Sequence, residues 1–121
     1  MALLDASVLI ARFNARDVHH SRTNNIDFSN SIINAITYYE VANVMQKNVH
    51  DKGAVVKALQ LMLDSTQVAI VTKQDLQAAT HVFERHYPRL SLADAVLVAQ
   101  AKSLNEELVT FDADLAKATK D

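Results

Sequence analysis

The sequence predicts an α/β domain with a central, mainly parallel sheet and helices on both of its faces. Short apolar runs, some rich in β-branched residues, alternate with segments of about 10–15 residues whose apolar positions recur at helical spacing. The chain has 121 residues, of which 50% are hydrophobic, and this is the size and apolar content of one folded unit. We therefore expect a single domain over residues 1–121.

The N-terminal third is predicted to hold two strands separated by a helix and a polar loop. Ala2–Asp5 is a short apolar run that ends in an acid, and residues 8–10 continue it as a helix. Residues 14–31 are rich in Asn, Asp, Ser and His, which indicates a loop that contains a short helix. A second short strand is predicted at Ile32–Ile36.

Two helices are predicted in the middle of the chain. Thr37 stands three residues before Glu40, which is the spacing of a capping box, and apolar residues at 41, 44 and 45 continue the helical pattern. Gly53 is expected to separate this helix from the next one, at Ala54–Asp64.

The second half of the chain alternates strands with helices. The predicted strands are Val68–Val71 and Leu108–Phe111, and the predicted helices are Gln74–Tyr87, a segment from Ser91 through Lys102, and Ala113–Thr119. Pro88 ends the first of these helices, whose inward-facing residues are predicted to be Leu76, Ala79, Val82 and Phe83. The helix that opens at Ser91 is almost wholly apolar and must be buried on most sides.

The composition excludes several classes of chemistry. The absence of cysteine rules out disulfides, thiolate zinc sites and thiol nucleophiles, so any metal must bind oxygen or imidazole. The net charge of −2 provides no global basic field of the kind that many nucleic-acid-binding proteins carry. No apolar run approaches the roughly 18–20 residues that span a bilayer. Because the N-terminus also lacks a basic leader, we expect a cytoplasmic protein with no membrane segment.

Four acids are predicted to converge on one edge of the sheet. Asp5 ends the first predicted strand, and Asp112 follows the last one. Glu40 and Asp94 each lie in the predicted first turn of a helix that begins at this edge, where ligands of parallel sheets bind. A capping or turn role explains each acid alone equally well. Together, however, the four charges repel one another unless a cation neutralises them.

The cation that such a cluster favours is Mg²⁺ or Mn²⁺, since both prefer carboxylate and water oxygens. A metal held in this way ionises a water and stabilises in-line displacement at phosphorus. Without the four acids the chain keeps 12 basic and 10 acidic residues, a balance of +2, so a metal-loaded rim need not repel a phosphodiester.

These residues resemble, in the same order, the four motifs of PIN-domain nucleases. The matching segments are Leu3-Leu4-Asp5-Ala6-Ser7, Thr37 with Glu40, Leu90-Ser91-Leu92-Ala93-Asp94-Ala95, and Val109-Thr110-Phe111-Asp112. In size the chain is most similar to the VapC-type toxins of bacterial toxin–antitoxin pairs. The resemblance implies an endoribonuclease that depends on Mg²⁺ or Mn²⁺, cleaves an RNA substrate, is silenced by a cognate antitoxin and forms a homodimer.

The resemblance also implies roles for individual residues. The residues that would hold the metal, and orient or deprotonate its water as the catalytic group, are Asp5, Glu40, Asp94 and Asp112. The hydroxyls of Ser7 and Thr110 would support them through hydrogen bonds. Asp114 would assist a second metal, although capping of the last helix is the favoured role for it. Asn43 and Arg12 are the candidate substrate contacts. A segment of the antitoxin is expected to reach the acidic edge and to place an Arg or Lys among the acids.

Residues 11–36 are short and polar where PIN domains usually carry a pair of helices, so they leave substrate choice and oligomeric state open. The adjacent rings of His19 and His20 point to different faces, which favours a loop or helix start over a metal site. Five arginines are candidates to line a path for RNA: Arg12, Arg16, Arg22, Arg85 and Arg89. A position on a solvent-exposed charged face explains each of them equally well. Four apolar residues could form either a homodimer face or part of the core: Val55, Leu59, Met62 and Met45.

Three other functions compete with the nuclease. A phosphoacceptor receiver domain is similar in size and binds Mg²⁺, but it requires adjacent acids after the first strand and a lysine after the last, and this chain has a lone Asp5. A phosphatase of the haloacid dehalogenase type resembles Phe111-Asp112-Ala113-Asp114, but only seven residues follow Asp114. A non-catalytic PIN-like module that binds RNA or protein remains, and the presence of all four acids favours catalysis over it.

Overall fold

The protein is described by a computed structural model that covers residues 1–120. Its strands are β1 (Ala2–Leu4), β2 (Ser31–Asn34), β3 (Gln67–Ala69) and β4 (Glu107–Val109). Its helices are α1 (Ala6–Phe13), α2 (Ala35–Asn48), α3 (Lys52–Ser65), α4 (Lys73–His86), α5 (Leu92–Leu104) and α6 (Ala113–Ala118), and short 3₁₀ helices span His20–Asn25 and Phe28–Asn30. None of these helices has the length and apolar character needed to cross a bilayer.

The described strands form one parallel sheet in the order β3-β2-β1-β4. Successive side chains of a strand point to opposite faces, so Leu3 and Ile32 pack against α4, α5 and α6. Leu4 and Ile33 pack on the other face against α1, α2 and α3. The predicted α/β fold, with a parallel sheet covered on both faces, is confirmed.

The buried helix of the second half is also confirmed. All residues from Ala95 to Ala101 are buried, and they pack on the sheet beside α4 and α6. The helix ends at Asn105, which adopts a left-handed conformation with φ of 54° that asparagine tolerates better than most residues. Asp94 lies in the first turn of this buried helix.

A buried pair of amide side chains ties α5 to the end of β2. The Nδ2 of Asn34 donates to the Oε1 of Gln100 at 2.9 Å, and the Nε2 of Gln100 donates to the carbonyl of Ile70 at 3.1 Å. Asn34 is 0% exposed and Gln100 is 1% exposed. Since an unpaired buried amide is costly, the pair permits one relative position of the two elements.

The start of α2 differs from the prediction. Asn34 is the N-cap, because its Oδ1 accepts a hydrogen bond from the backbone N–H of Thr37 at 2.9 Å. The predicted capping box at Thr37 is therefore wrong, and β2 ends at Asn34 rather than at Ile36. As a consequence Glu40 lies in the second turn of α2, one turn deeper than predicted.

Other predicted boundaries shift for local reasons. Asp51 caps α3 by accepting from the N–H of Ala54, so Gly53 lies inside the first helical turn and does not separate two helices. The two later strands each end earlier than predicted, at Ala69 and Val109. Leu76, predicted to face inward on α4, is exposed instead.

The four residues offered as a dimer face or as core belong to the core. Met45 and Met62 are buried, and Val55 and Leu59 pack against them on the α1–α3 side of the sheet. The apolar residues that α3 does expose are Val56, Leu61 and Leu63.

Candidate active site

Asp5 is the centre of the site. It is only 5% exposed and follows β1 directly, where it is the N-cap of α1. Its Oδ1 accepts from the N–H of Ala6 at 2.8 Å, and its Oδ2 accepts from the hydroxyls of Ser7 and Thr110, each at 2.7 Å. These three donors fix the orientation of the carboxyl group.

The segment from Thr110 to Asp112, after β4, is bonded into the same network. The N–H of Phe111 donates to the Oγ of Ser7 at 3.1 Å, and the N–H of Asp112 donates to the Oγ1 of Thr110 at 3.0 Å. Each hydroxyl thus accepts from this segment and donates to Asp5. The structure brings together the two hydroxyls that the sequence predicted beside Asp5.

Glu40 and Asp94 are half-buried and lie close enough to Asp5 to feel its charge. Burial raises the pKa of Glu40, and the charges of Asp5 and Asp94 raise it further. Burial and then the charge of Asp5 raise the pKa of Asp94 to about 6; a hydrogen bond with Ser91 opposes this shift and the charge of Asp112 adds to it. The predicted convergence of the four acids therefore agrees with these mutual electrostatic effects.

Asp112 and Asp114 have different positions at the start of α6. Asp112 is the N-cap, and its Oδ1 accepts from the N–H of Leu115 at 2.9 Å. Asp114 is exposed in the first turn, so the capping role favoured for it belongs to Asp112. The second oxygen of Asp112 makes no hydrogen bond within residues 1–120 and is free to act at the site.

The chemistry of these donors fits a hard divalent cation. Asp5, Glu40, Asp94 and Asp112 offer carboxylate oxygens, which Mg²⁺ and Mn²⁺ prefer as ligands. Burial, and then the charges of neighbouring acids, raise the pKa values of Glu40 and Asp94, and no lysine or arginine forms a direct ion pair with any of the four within residues 1–120. In the same residues, no three acids or histidines are grouped closely enough to ligate one ion as they stand.

The two predicted substrate contacts occupy different places. Asn43 is exposed on α2 about one turn after Glu40. Arg12 is exposed in the last turn of α1, about 10 Å along the helix axis from Asp5, and its guanidinium lies 5.8 Å from the centre of the Phe28 ring. Asn43 thus lies about one helical turn from Glu40. Arg12 lies at the end of α1 opposite to the one that Asp5 caps.

The sequence did not predict the buried Asn34–Gln100 pair or the contacts of the Phe111 ring. His19 stacks on the Phe111 ring with centroids 5.0 Å apart, while His20 Nδ1 lies 2.6 Å from the carbonyl oxygen of Ala11. The two rings do face different partners, as predicted. A polar residue in the apolar run of α5 was the one available signal for Gln100, and nothing local in the sequence indicated the partner of Phe111.

The raised pKa of Asp94 predicts that, without divalent cations, the fold is more stable in mild acid than at neutral pH. The folded state binds this proton more tightly than the unfolded chain, whose value is 3.8, so the stabilisation is complete below about pH 4 and is lost as the pH rises through about 6. After allowance for solvent screening we expect a loss on the order of 1 kcal/mol.

Thermal unfolding in EDTA between about pH 5 and pH 8 checks this. In Asp94→Asn the slope should become shallower, because Glu40 is then the remaining carboxyl with a raised pKa at the site. A parent protein that is equally stable at both ends of the range, or a slope of unchanged size in Asp94→Asn, would contradict the assignment.

The fold and the site define a small α/β protein with an acidic centre at the carboxyl edge of a parallel sheet. Residues 2–121 match the PIN domain family, and the chain belongs to that family. Among proteins of curated function, none is similar enough in sequence to register as a relative.

Several solved structures share this fold. VapC20 from Mycobacterium tuberculosis is 21% identical, with a TM-score of 0.84 over 98% of this chain and 95% of that chain. PAE2754 from Pyrobaculum aerophilum is 26% identical, with a TM-score of 0.74 over 98% of this chain and 84% of that one. A toxin–antitoxin complex from Klebsiella pneumoniae is 21% identical, with a TM-score of 0.72 over 96% of this chain and 91% of that one.

Proposed function

We propose that this PIN domain is a metal-dependent endoribonuclease and the toxin of a toxin–antitoxin pair. The observation that carries the proposal is the set of acids around Asp5, which is held rigidly by Ser7 and Thr110 while Glu40 and Asp94 carry raised pKa values. Clustered, partly buried carboxylates destabilise the folded protein. Their retention at one point is typical of a site that binds a cation and catalyses a reaction of a phosphate group.

The roles of the residues follow from their positions. Asp5, Glu40, Asp94 and Asp112 would hold Mg²⁺ or Mn²⁺. When bound, such an ion supplies an ionised water and neutralises charge on the phosphate as the P–O bond breaks. Ser7 and Thr110 orient the Oδ2 of Asp5 through hydrogen bonds, and the N–H of Ala6 orients its Oδ1. In the metal-free protein the raised pKa of Asp94 marks a carboxylate whose charged form a bound cation would stabilise.

Relatives of known structure support the type of substrate and partner. VapC20 of Mycobacterium tuberculosis, which has the same fold, is described as a toxin that cleaves the sarcin–ricin loop. The Klebsiella pneumoniae structure is a complex of a toxin with its antitoxin. We therefore propose an RNA substrate and a protein antitoxin for this chain, with an Arg or Lys of the antitoxin meeting the acids.

The remaining assignments belong to the same proposal. Asn43 would contact RNA beside Glu40, and Arg12 would contact the strand away from the scissile phosphate, because it lies at the far end of α1. Asp114, exposed beside Asp112, would assist a second cation. We also propose a homodimer in the cytoplasm. Light scattering of the purified protein tests the dimer.

The proposal is tested by incubating the purified protein with mixed structured RNAs in Mg²⁺, in Mn²⁺ or in EDTA. We expect cleavage with either cation and none in EDTA, because the acids then have nothing to offset their charge. Cleavage that continues in EDTA would contradict the metal-dependent mechanism. If the protein binds RNA and cations but cleaves nothing, the non-catalytic alternative is correct.

A further inference from the structure

One basic side chain is attached to the segment that carries Thr110 and Asp112. The guanidinium of Arg22 lies over the ring of Phe111, with its central carbon 4.5 Å from the ring centre. Its Nη1 lies 3.1 Å from the Nδ1 of His19, which itself stacks on the same ring. The guanidinium is thus held by a cation–π contact and a hydrogen bond.

Phe111, whose ring lies under Arg22, is linked to Asp5 through Ser7. The N–H of Phe111 donates to Ser7, and the hydroxyl of Ser7 donates to the carboxylate of Asp5. On the other side, the chain around Arg22 is fixed because Thr23 is buried and donates to the carbonyl of His20 at 2.6 Å. Arg22 therefore keeps a fixed relation to the acids, which an arginine on a free surface would not have.

Arg22 is nevertheless available to a ligand. It is exposed and makes no ion pair within residues 1–120. Of its five N–H donors, one is directed to His19, and the others are open to an acceptor. Together with Thr110 and Phe111 it lines a groove of about 660 Å³ beside β4.

We propose that Arg22 binds a phosphate of the RNA strand next to the scissile one, and that Phe111 and His19 hold it in position. This rests on the proposed nuclease function and adds a substrate contact to it. A planar guanidinium with open donors matches two phosphate oxygens, and a pre-positioned one loses less side-chain entropy on binding. It also adds positive charge to a surface whose acids would otherwise repel the strand.

Binding of a fluorescent pool of mixed-sequence, single-stranded RNA to the full chain tests this. The measurement uses Asp94→Asn in Mg²⁺, so that cleavage does not interfere, and it is repeated over a range of salt concentrations. Adding Arg22→Gln should weaken binding about 5–10-fold and reduce the slope of log Kd against log salt by about 0.7, as expected for one lost phosphate contact. The control is Lys57→Gln, which removes one exposed positive charge from α3 and should change binding less than about 2-fold.

Two further variants separate binding from a structural role. Arg22→Lys keeps the charge and should restore the salt slope but only part of the affinity. Phe111→Leu removes the support and should weaken binding without changing the slope, because the charge of Arg22 remains.

The inference is overturned if Arg22→Gln binds RNA like Lys57→Gln, if it weakens binding with an unchanged salt slope, or if the protein binds no RNA. Cleavage is scored separately with proteins that retain Asp94. A parent that cleaves while Arg22 proves dispensable refutes this inference alone. A parent that never cleaves refutes the nuclease, whereas Arg22-dependent binding would still support the phosphate contact.

Discussion

Asp94→Asn should reduce metal-dependent RNA cleavage at least about 100-fold, because it removes a ligand charge worth several kcal/mol in the transition state. The folded protein should meanwhile become no less stable without metal. Asparagine has the shape of aspartate, and the backbone N–H of residue 94 keeps its 3.1 Å bond to Ser91. The lost charge was also one that burial and Asp5 opposed. Cleavage assays and thermal unfolding of the same preparations measure both effects.

The matched control for this variant is Asp75→Asn. Asp75 is the third residue of α4 and part of its capping box with Thr72, just as Asp94 is the third residue of α5 after Ser91. Asp75 accepts from the hydroxyl of Ser103 in the last turn of α5, whereas Asp94 lies in the first turn of that helix, so replacement of Asp75 should leave cleavage unchanged. If Asp94→Asn cleaves RNA as fast as Asp75→Asn, the site has been assigned to the wrong residues.

Asn34→Ala should lower the free energy of unfolding by about 2–4 kcal/mol, a large part of the stability of a domain of this size. The substitution removes the N-cap of α2 and leaves the buried amide of Gln100 without its donor. Urea unfolding followed by circular dichroism measures the change.

Asp51→Ala isolates the capping part of this effect. Asp51 caps α3 in the same way but is exposed and bonded to no buried partner, so the loss should be about 1 kcal/mol. Equal losses in the two variants would show that the Asn34–Gln100 bond contributes nothing. Gln100→Leu alone should also destabilise the fold, since Asn34 would then be the unpaired amide.

The parts of the fold that sequence predicted correctly are those with a strong local pattern. The apolar run of α5 is too continuous for a surface helix, and the structure buries it from Ala95 to Ala101. The beginning of α2 was misplaced because Thr37 and Glu40 imitate a capping box, whereas Asn34 is the stronger cap and is also held by Gln100. That competition is decided by a contact 66 residues away in sequence.

The site shows the same division. Asp5, Asp94 and Asp112 follow strands or open helices, so topology alone predicts that they share one edge. Their hydrogen-bond partners were expected from the family resemblance, and the structure supplies the distances. The contact of Arg22 and His19 with Phe111 joins a polar loop to a segment some 90 residues later, and no periodicity or spacing encodes such a pairing.

The bonds from Thr110 to Asp5 connect residues 105 positions apart, and this has a consequence for the order in which the protein is made. A growing chain that has not reached residue 110 already contains Asp5, Glu40 and Asp94, but it lacks a hydroxyl donor to Asp5 and the carboxylate of Asp112. β1 likewise lacks its neighbour β4 until then. The site is therefore complete only when nearly the whole chain has been synthesised.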